Sequence, residues 1–184
     1  WEEAWTWTPG QLPQLRKENA DGNGYSQEPV RGQTPRKATD YLVSLPWNGS
    51  AATQIESTGD GTFDNPILIG TAAELAYFAQ QVNAGGLKLD VAKGTSIDNG
   101  EKDKGFAGLY FALSNDIDLE GYNWTPIGSS YNPFQGHFDG RGHTVKGLTV
   151  IGDMPYAGLF GYVVNGTLCN LGVSLHEDGI KVSS

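Results

Sequence analysis

Three aspartates in the strand-like C-terminal half could carry acid–base chemistry: Asp116, Asp118 and Asp139. Asp116 and Asp118 are two residues apart, so in a β-strand their side chains point to the same face. Enzymes that cleave glycosidic bonds use two carboxyl groups about 5–9.5 Å apart. Alternation of Asp with Ile or Leu is also typical of any strand with one solvated face, and we favour that interpretation.

Other reactive side chains do not complete a catalytic site. The histidines, His137, His143 and His176, lack the spacing of a zinc motif such as HExxH. A polysaccharide lyase would need a cationic residue beside an anionic sugar, and Arg141 and Lys146 are the candidates, both at turn or solvent-facing positions. We therefore predict no catalytic residue, no cofactor and no enzyme activity.

A cation site and a reactive thiol are the remaining chemical options. Asp60 and Asp64 supply oxygen atoms of the kind that bind Ca²⁺, but their spacing fits no EF-hand loop and is typical of turns. The sequence predicts no metal and leaves a Ca²⁺ site at these two residues open. The one cysteine, Cys169, lies in an apolar run and is expected to be buried and inert.

Aromatic residues in loops are the candidate binding residues, because Tyr and Trp combine a large contact area with one polar atom. They are Trp124, Tyr131 and Tyr156, flanked by Asn and Asp. The alternative is that these rings cover the core, and for Trp124 we favour that alternative.

Composition limits the class of partner. The formal net charge is −9, whereas nucleic acids and anionic membranes attract clustered Lys and Arg, so we predict neither partner. No run of 18 apolar residues occurs, so no membrane insertion is expected. Gly accounts for 26 of 184 residues, which indicates many tight turns between short strands.

A repeated pattern indicates how such strands are arranged. Residues 145–150 (VKGLTV) and 168–173 (LCNLGV) share an aliphatic-x-(Gly/Asn)-Leu-x-Val pattern at an offset of 23 residues. Short β-rich runs with such a period are typical of a chain that winds into stacked coils. We expect Leu148 and Leu171 to lie one above the other on adjacent parallel strands.

One amphipathic helix is predicted at about 71–84. Thr71 and Glu74 form a capping box, Leu75, Phe78 and Val82 lie on one helix face, and Gly85 ends the helix. A helix ahead of stacked coils would cover the open end of the first coil.

The predicted organisation has three parts. Residues 1–15 look like the closing strand of a preceding repeat unit. Residues 16–58 are predicted to be a linker with long loops and a short strand near 41–45. Residues 59–184 are predicted to form a coiled β domain with an N-terminal capping helix. Within that domain, residues 87–108 are rich in Lys, Asp and Gly and predict a loop. The first residue is Trp1 and not Met, which we interpret as a fragment of a longer product.

Residues 59–173 resemble bacterial surface proteins that carry the GLUG motif. Six pieces occur in the order typical of that family: GTFDNPILI, TAAELAYFAQQVNAG, YFALSNDIDL, WTPIG, FQGHFDGRGHTVKGLTV and AGLFGYVVNGTLCNLGV. The resemblance implies a mostly β fold, a right-handed parallel β-helix or β-solenoid, on a secreted or cell-surface, outer membrane-associated protein. It implies a role in adhesion or structural display.

The function that we expect is a noncatalytic β-solenoid module for cell adhesion through exposed loops and strand faces. Its partners would be a host or bacterial surface glycan or protein and neighbouring repeat units of the same parent chain. Two alternatives remain: a carbohydrate-active enzyme, lyase or glycoside hydrolase, on a parallel β-helix, and an architectural spacer repeat.

Overall fold

The computed structural model describes residues 5–6, 14–18, 25–29, 46–92, 95–100 and 104–182. The chain divides into two units, 1–45 and 46–184. In the first unit, β1 (Trp5–Thr6), β2 (Gln14–Glu18) and β3 (Tyr25–Pro29) form an antiparallel sheet in that order. Strand β3 and part of β2 fall in the segment 16–58, for which the sequence predicts linker and loops. The strand predicted near 41–45 lies outside the described residues.

The second unit is mostly β with one α-helix among its described residues, as predicted. Its elements are β4 (Ile67–Ile69), α1 (Ala72–Asn83), β5 (Lys88–Val91), β6 (Thr95–Asp98), a 3-10 turn (Lys104–Phe106), β7 (Tyr110–Leu113), β8 (Ile117–Asp118), β9 (His137–Asp139), β10 (Thr144–Gly152), β11 (Thr167–Cys169) and β12 (Gly172–Val182).

Two parallel sheets organise this unit, and the chain passes from one to the other. The first has the strand order β4-β7-β9-β11 and the second the order β8-β10-β12. In the second sheet Ile117 pairs with Val145 and Val145 pairs with Val173, so each step advances by 28 residues (117 to 145 to 173). Each new strand is therefore added beside the preceding one in the same sheet.

From β7 to β11 the first sheet advances at nearly the same rate, whereas its first step, from Ile67 in β4 to Phe111 in β7, spans 44 residues (67 to 111) and includes α1 and the hairpin of β5 and β6. Phe111 pairs with Phe138 and Phe138 pairs with Leu168, which are steps of 27 and 30 residues (111 to 138 to 168). Because both sheets grow in step, we call the chain between successive strands of one sheet a coil. Parallel strands need such long connections, which here are supplied by the strands and turns of the other sheet.

The predicted 23-residue offset is wrong. Leu148 pairs with Leu175 and not with Leu171, and Leu168 pairs with Phe138 in the other sheet. The two similar stretches occupy different parts of a coil, because 145–150 lies within β10 whereas 168–173 includes the end of β11 and the start of β12. Their likeness reflects the same local alternation and not the same position in successive coils.

A cluster of phenylalanine rings fills the interior and attaches the helix to it. Phe78 of α1 lies 4.7–6.0 Å, between ring centroids, from the rings of Phe106, Phe111, Phe134 and Phe138. All five side chains are essentially inaccessible to solvent. Since β7 and β9 each contribute one ring, the helix packs across two coils. Aromatic pairs at these distances contribute about 0.5–1.5 kcal/mol beyond the burial of their area.

The capping box of α1 is confirmed, and its carboxylate does more than cap the helix. Glu74 is buried, and its carboxylate oxygens accept hydrogen bonds from the backbone N–H groups of Gly70, Thr71 and Glu56 at 2.7–3.1 Å. A buried charge is stable only when donors surround it. Glu74 therefore joins the segment before β4 to the start of the helix.

The loop predicted at 87–108 contains a β-hairpin instead. Strands β5 and β6 pair antiparallel, with Leu89 opposite Ile97, and Leu89 and Val91 are buried. Leu87, Leu89 and Val91 alternate with polar residues as in a half-buried strand. The high content of Lys, Asp and Gly in the surrounding residues obscured this short pattern.

Close contact between stacked turns explains part of the high Gly content. The WTPIG motif (124–128) and the GLFG sequence (158–161) lie against each other: Leu159 O accepts from Ile127 N at 2.9 Å, and Ile127 O accepts from Gly161 N at 2.8 Å. A Cβ atom at Gly161 would lie 2.6 Å from the carbonyl oxygen of Gly128, and one at Gly128 would clash with the Tyr162 carbonyl. Glycine is required here because backbone meets backbone.

The last strands leave apolar side chains uncovered. Val173 and Leu175 are 46% and 55% exposed, whereas their partners on β10, Val145 and Leu148, are 0% and 1% exposed. Cys169 is also exposed, contrary to the prediction of a buried thiol. Strand β11 is the outer strand of its sheet, so no later described strand covers it.

We predict that truncating Leu148 and Leu175 will have very different effects, although these leucines are paired. Leu148→Ala should lower the free energy of unfolding by about 2–5 kcal/mol because it opens a cavity. Leu175→Ala should change it by less than about 0.5 kcal/mol because its side chain is already solvated. Urea denaturation measures both values, and equal losses would contradict the burial difference.

Glu74→Gln should destabilise the second unit. The amide offers one acceptor where the carboxylate offers two, which leaves a buried backbone N–H unpaired at a cost of about 1–3 kcal/mol. Glu56→Gln, at an exposed side chain of the same type, serves as the matched control. A change in the unfolding midpoint for Glu56→Gln as large as that for Glu74→Gln would refute the role assigned to Glu74.

Candidate functional site

The three aromatic residues predicted to bind lie in different surroundings. Trp124 is 2% exposed and so is not a surface ring, in agreement with the favoured alternative. Tyr131 is 92% exposed in a loop. Tyr156 is 43% exposed and its ring lies 5.0 Å from that of Tyr162. The described residues show no ring contact that would join the three into one site.

A groove beside Trp124 is the best candidate site. Its aromatic wall consists of Trp47 and Trp124, whose ring centroids are 6.3 Å apart at an angle of 60°. The ring of Tyr122 also meets Trp47 edge-on, with ring centroids 5.7 Å apart. The groove has a volume of about 420 Å³. Its remaining lining residues come from the segment after Trp47, from α1 and from the turn around Trp124: Gly49, Ala51, Ala76, Ala79, Gln80, Asn83, Ala84, Asn123 and Thr125.

Local hydrogen bonds hold the two tryptophan rings in place. The indole N–H of Trp47 donates to Ser50 O at 2.7 Å, and that of Trp124 donates to Leu159 O at 3.0 Å. The second bond attaches the ring to the GLFG motif. With both N–H groups occupied, neither ring has a free donor for a ligand. The carbon surface open to a ligand is mainly that of Trp47, because Trp124 is 2% exposed.

Two asparagines of the lining are also occupied by structural bonds. Asn83 donates to Pro126 O and accepts from Gly128 N, and Asn123 both donates to and accepts from the backbone of Ile151. The bonds of Asn83 fix the end of α1 relative to the turn around Trp124, and those of Asn123 fix this turn relative to β10.

Two polar side chains of the lining remain available to a ligand. Gln80 and Thr125 are exposed, and within the described part of the chain their side chains make no hydrogen bond. Among the described residues, none that lines the groove is titratable. The groove is therefore equipped to hold a ligand and not to transfer a proton.

Sequence reasoning found Trp124 but missed Trp47, which it left in a segment assigned to loops. The signal was weak, a single Trp between Pro46 and Asn48. The groove depends on three segments that are distant along the chain, so its existence follows from packing and not from any local pattern.

Asp116 lies in an exposed ion pair and not in a catalytic cleft. Its carboxylate accepts from Lys146 Nζ at 2.9 Å and from Thr144 N at 3.0 Å, and His143 Nδ1 lies 3.4 Å away. The Lys146 ammonium above all, with the Thr144 N–H, lowers the pKa of Asp116 to about 2. A general acid needs a raised pKa, so this carboxyl is poorly suited to that role.

The other two aspartates of the proposed cluster support turns. Asp139 accepts from Arg141 N at 2.8 Å and from Asn170 Nδ2 at 3.0 Å, and these bonds lower its pKa. Asp118 accepts from Glu120 N at 2.9 Å. Each carboxylate thus bonds to the backbone two residues further on, as turn-forming Asp residues commonly do.

Asp60 is engaged in a turn of the same kind. Its Oδ1 accepts from the N–H of Thr62 at 3.0 Å and from its hydroxyl at 2.7 Å, and these bonds lower the pKa of Asp60. Asp64 is exposed. Among the described residues, no group of three or more His, Cys, Asp or Glu side chains is placed to hold a metal ion.

Comparison with known proteins gives one informative relative. No family model matches the chain, and no solved structure matches it significantly. A protein of Evansella cellulosilytica, named by inference a Gly-rich membrane protein, is 35% identical over 142 residues. The match covers 73% of this chain and 14% of that protein. Among the described residues, no helix has both the length and the apolar character needed to cross a bilayer.

The ion pair of Asp116 gives a pH prediction. Because its pKa is lower in the folded chain than its ordinary 3.8, the stabilisation from this pair is complete above that value and is lost as the pH falls towards 2. Lys146→Met should raise the pKa of Asp116 towards 3.8. Titration of the carboxyl carbon by NMR measures this, with Lys181→Met, which removes the partner of Asp178, as the control. An unchanged Asp116 titration in Lys146→Met would contradict the assignment.

Proposed function

We propose that this chain is a noncatalytic β-solenoid module of a secreted or cell-surface bacterial protein, similar to those that carry the GLUG motif, and that it mediates adhesion. The observation that carries the proposal is the regular growth of two parallel sheets, with steps of 27–30 residues in the paired strands β7 to β12. Such growth is what a right-handed parallel β-helix requires, since each coil adds one strand to every sheet.

The family resemblance is supported by a contact between two of its motifs. WTPIG supplies Trp124 and Ile127, and GLFG supplies the Leu159 carbonyl that accepts from both. Residues that are distant in sequence thus form one stacked turn. This gives a physical reason why the two motifs would occur together in the same proteins.

A role on the cell surface is supported by composition and by the relative. The net charge of −9 favours solubility and disfavours nucleic acid as a partner. The relative, of which the match covers 14%, is named a Gly-rich membrane protein. In such a protein the module would be displayed at the cell surface, where a surface glycan or protein is its partner.

Binding, and not turnover, is the chemistry that we assign to the module. The groove at Trp47 has no titratable lining residue, and the pKa values of Asp116 and Asp139 are lowered. A carbohydrate-active enzyme would need a carboxyl group with a raised pKa beside a cleft.

A spacer role is the second candidate, and the exposed side chains of β12 favour it. Val145 and Leu148 on β10 are buried where the next strand, β12, lies beside them, whereas their partners on β12, Val173 and Leu175, are exposed. A neighbouring repeat unit with aliphatic residues at the same positions would bury them. The two roles are compatible, because a rod of stacked coils can both extend and bind.

The adhesive role predicts that beads coated with the 184-residue chain will bind bacterial or host cells more than albumin-coated beads do. No sugar should be released from polysaccharides incubated with the same preparation. Tyr131→Ala tests whether this exposed loop ring contributes to cell binding. Absence of any cell binding would leave the spacer role, and release of sugar by the purified chain would overturn the noncatalytic assignment.

A further inference from the structure

We infer that the groove between Trp47 and α1 is a binding site for a neutral saccharide. This inference deepens the proposed adhesive function and rests on it, because it names the class of ligand that the module would hold on a surface. The groove is described by its lining residues above. Four of its properties select this ligand class.

Charge is the first property. None of the described residues that line the groove is charged, although the chain as a whole carries −9. A charged ligand would lose its hydration in the groove without gaining a partner of opposite sign, which is unfavourable. The ligand should therefore be neutral, which excludes uronic and sialic acids as preferred ligands.

Aromatic surface is the second property. Trp47 is half-buried and Trp124 forms the inner wall, and both indole N–H groups are already bonded to backbone carbonyls. Because Trp124 is only 2% exposed, the carbon surface open to a ligand is mainly that of Trp47. A sugar ring has an apolar side of C–H groups that packs on such a surface, as large aromatic side chains allow.

The available hydrogen-bonding groups are the third property. Gln80 offers an amide donor and acceptor, and Thr125 offers a hydroxyl, and neither side chain is bonded within the described residues. Such groups suit ligand hydroxyls, which both donate and accept. A purely apolar ligand would leave these groups without partners on binding.

Size and rigidity are the fourth property. The volume of about 420 Å³ lies within the range of about 300–1,000 Å³ that small-molecule sites occupy. The asparagines Asn83 and Asn123 hold two of the walls through bonds to Pro126, Gly128 and Ile151. The site is thus formed before the ligand arrives, which limits the entropy lost on binding.

The test is an NMR titration of the ¹⁵N-labelled 184-residue chain with cellobiose and lactose, and with glucuronic acid as the anionic comparison. Saturable shifts are expected for the indole N–H of Trp47 and the side-chain amide of Gln80 with the neutral disaccharides. The signals of residues outside the groove should not move. Glucuronic acid should bind more weakly than either disaccharide.

Variants separate the site from general effects on folding. Gln80→Ala and Thr125→Val should each weaken binding by about 2- to 10-fold, the effect of one lost hydrogen bond. Ala76→Met should abolish binding by filling the groove while leaving the unfolding midpoint unchanged, since Met favours helix nearly as well as Ala. Phe63→Ala, which removes a 75% exposed ring outside the groove lining, is the matched control and should bind as the unmodified chain does.

Three results would overturn the inference: no shift of the Trp47 and Gln80 signals with either disaccharide, equal binding by the Ala76→Met chain, or preference for an apolar dye over both sugars. The cell-binding assay distinguishes this failure from failure of the proposed function. Beads coated with the Ala76→Met chain that still bind cells would overturn the saccharide site and leave adhesion standing. Sugar binding without cell binding would overturn the adhesive function and leave the saccharide site standing.

Discussion

The second unit depends on one constraint: each coil can bury its apolar side chains only against the next coil. Val145 and Leu148 are buried where β12 lies beside them, whereas Val173 and Leu175, with no described strand beyond them, are about half exposed. The same constraint acts on the backbone, because the turns that contain Gly128 and Gly161 approach too closely for a side chain. The stack thus explains both the aliphatic alternation and part of the high Gly content.

The helix matters because it joins elements that the coils alone would leave separate. Phe78 packs against rings from β7 and β9, while Glu74 binds the backbone of the segment before β4. The prediction had the helix covering the open end of the first coil. That role stays a prediction, and the ring contacts of Phe78 show the apolar face of the helix packed across two coils. One surface of the helix serves the core, and another lines the groove.

The groove illustrates how a binding site can arise on such a scaffold. Its walls are the segment at Trp47, the face of α1 around Ala76 and the turn at Trp124, each fixed for a structural reason. Because those bonds occupy the indole N–H groups and the asparagine amides, Gln80 and Thr125 are the described lining residues whose polar side chains remain for a ligand. The proposed specificity for a neutral saccharide follows from what the fold leaves free.

The sequence by itself determined the elements whose signals are local. The capping box at Thr71 and Glu74 and the apolar face of α1 were predictable because short-range hydrogen bonds and the spacing of apolar side chains define them. Tertiary structure alone decided the pairing: Leu148 lies beside Leu175 and not Leu171, since a coil contains two strands of similar pattern and only packing tells them apart. It also decided the surroundings of Trp47 and the exposure of Cys169, which depend on neighbours distant along the chain.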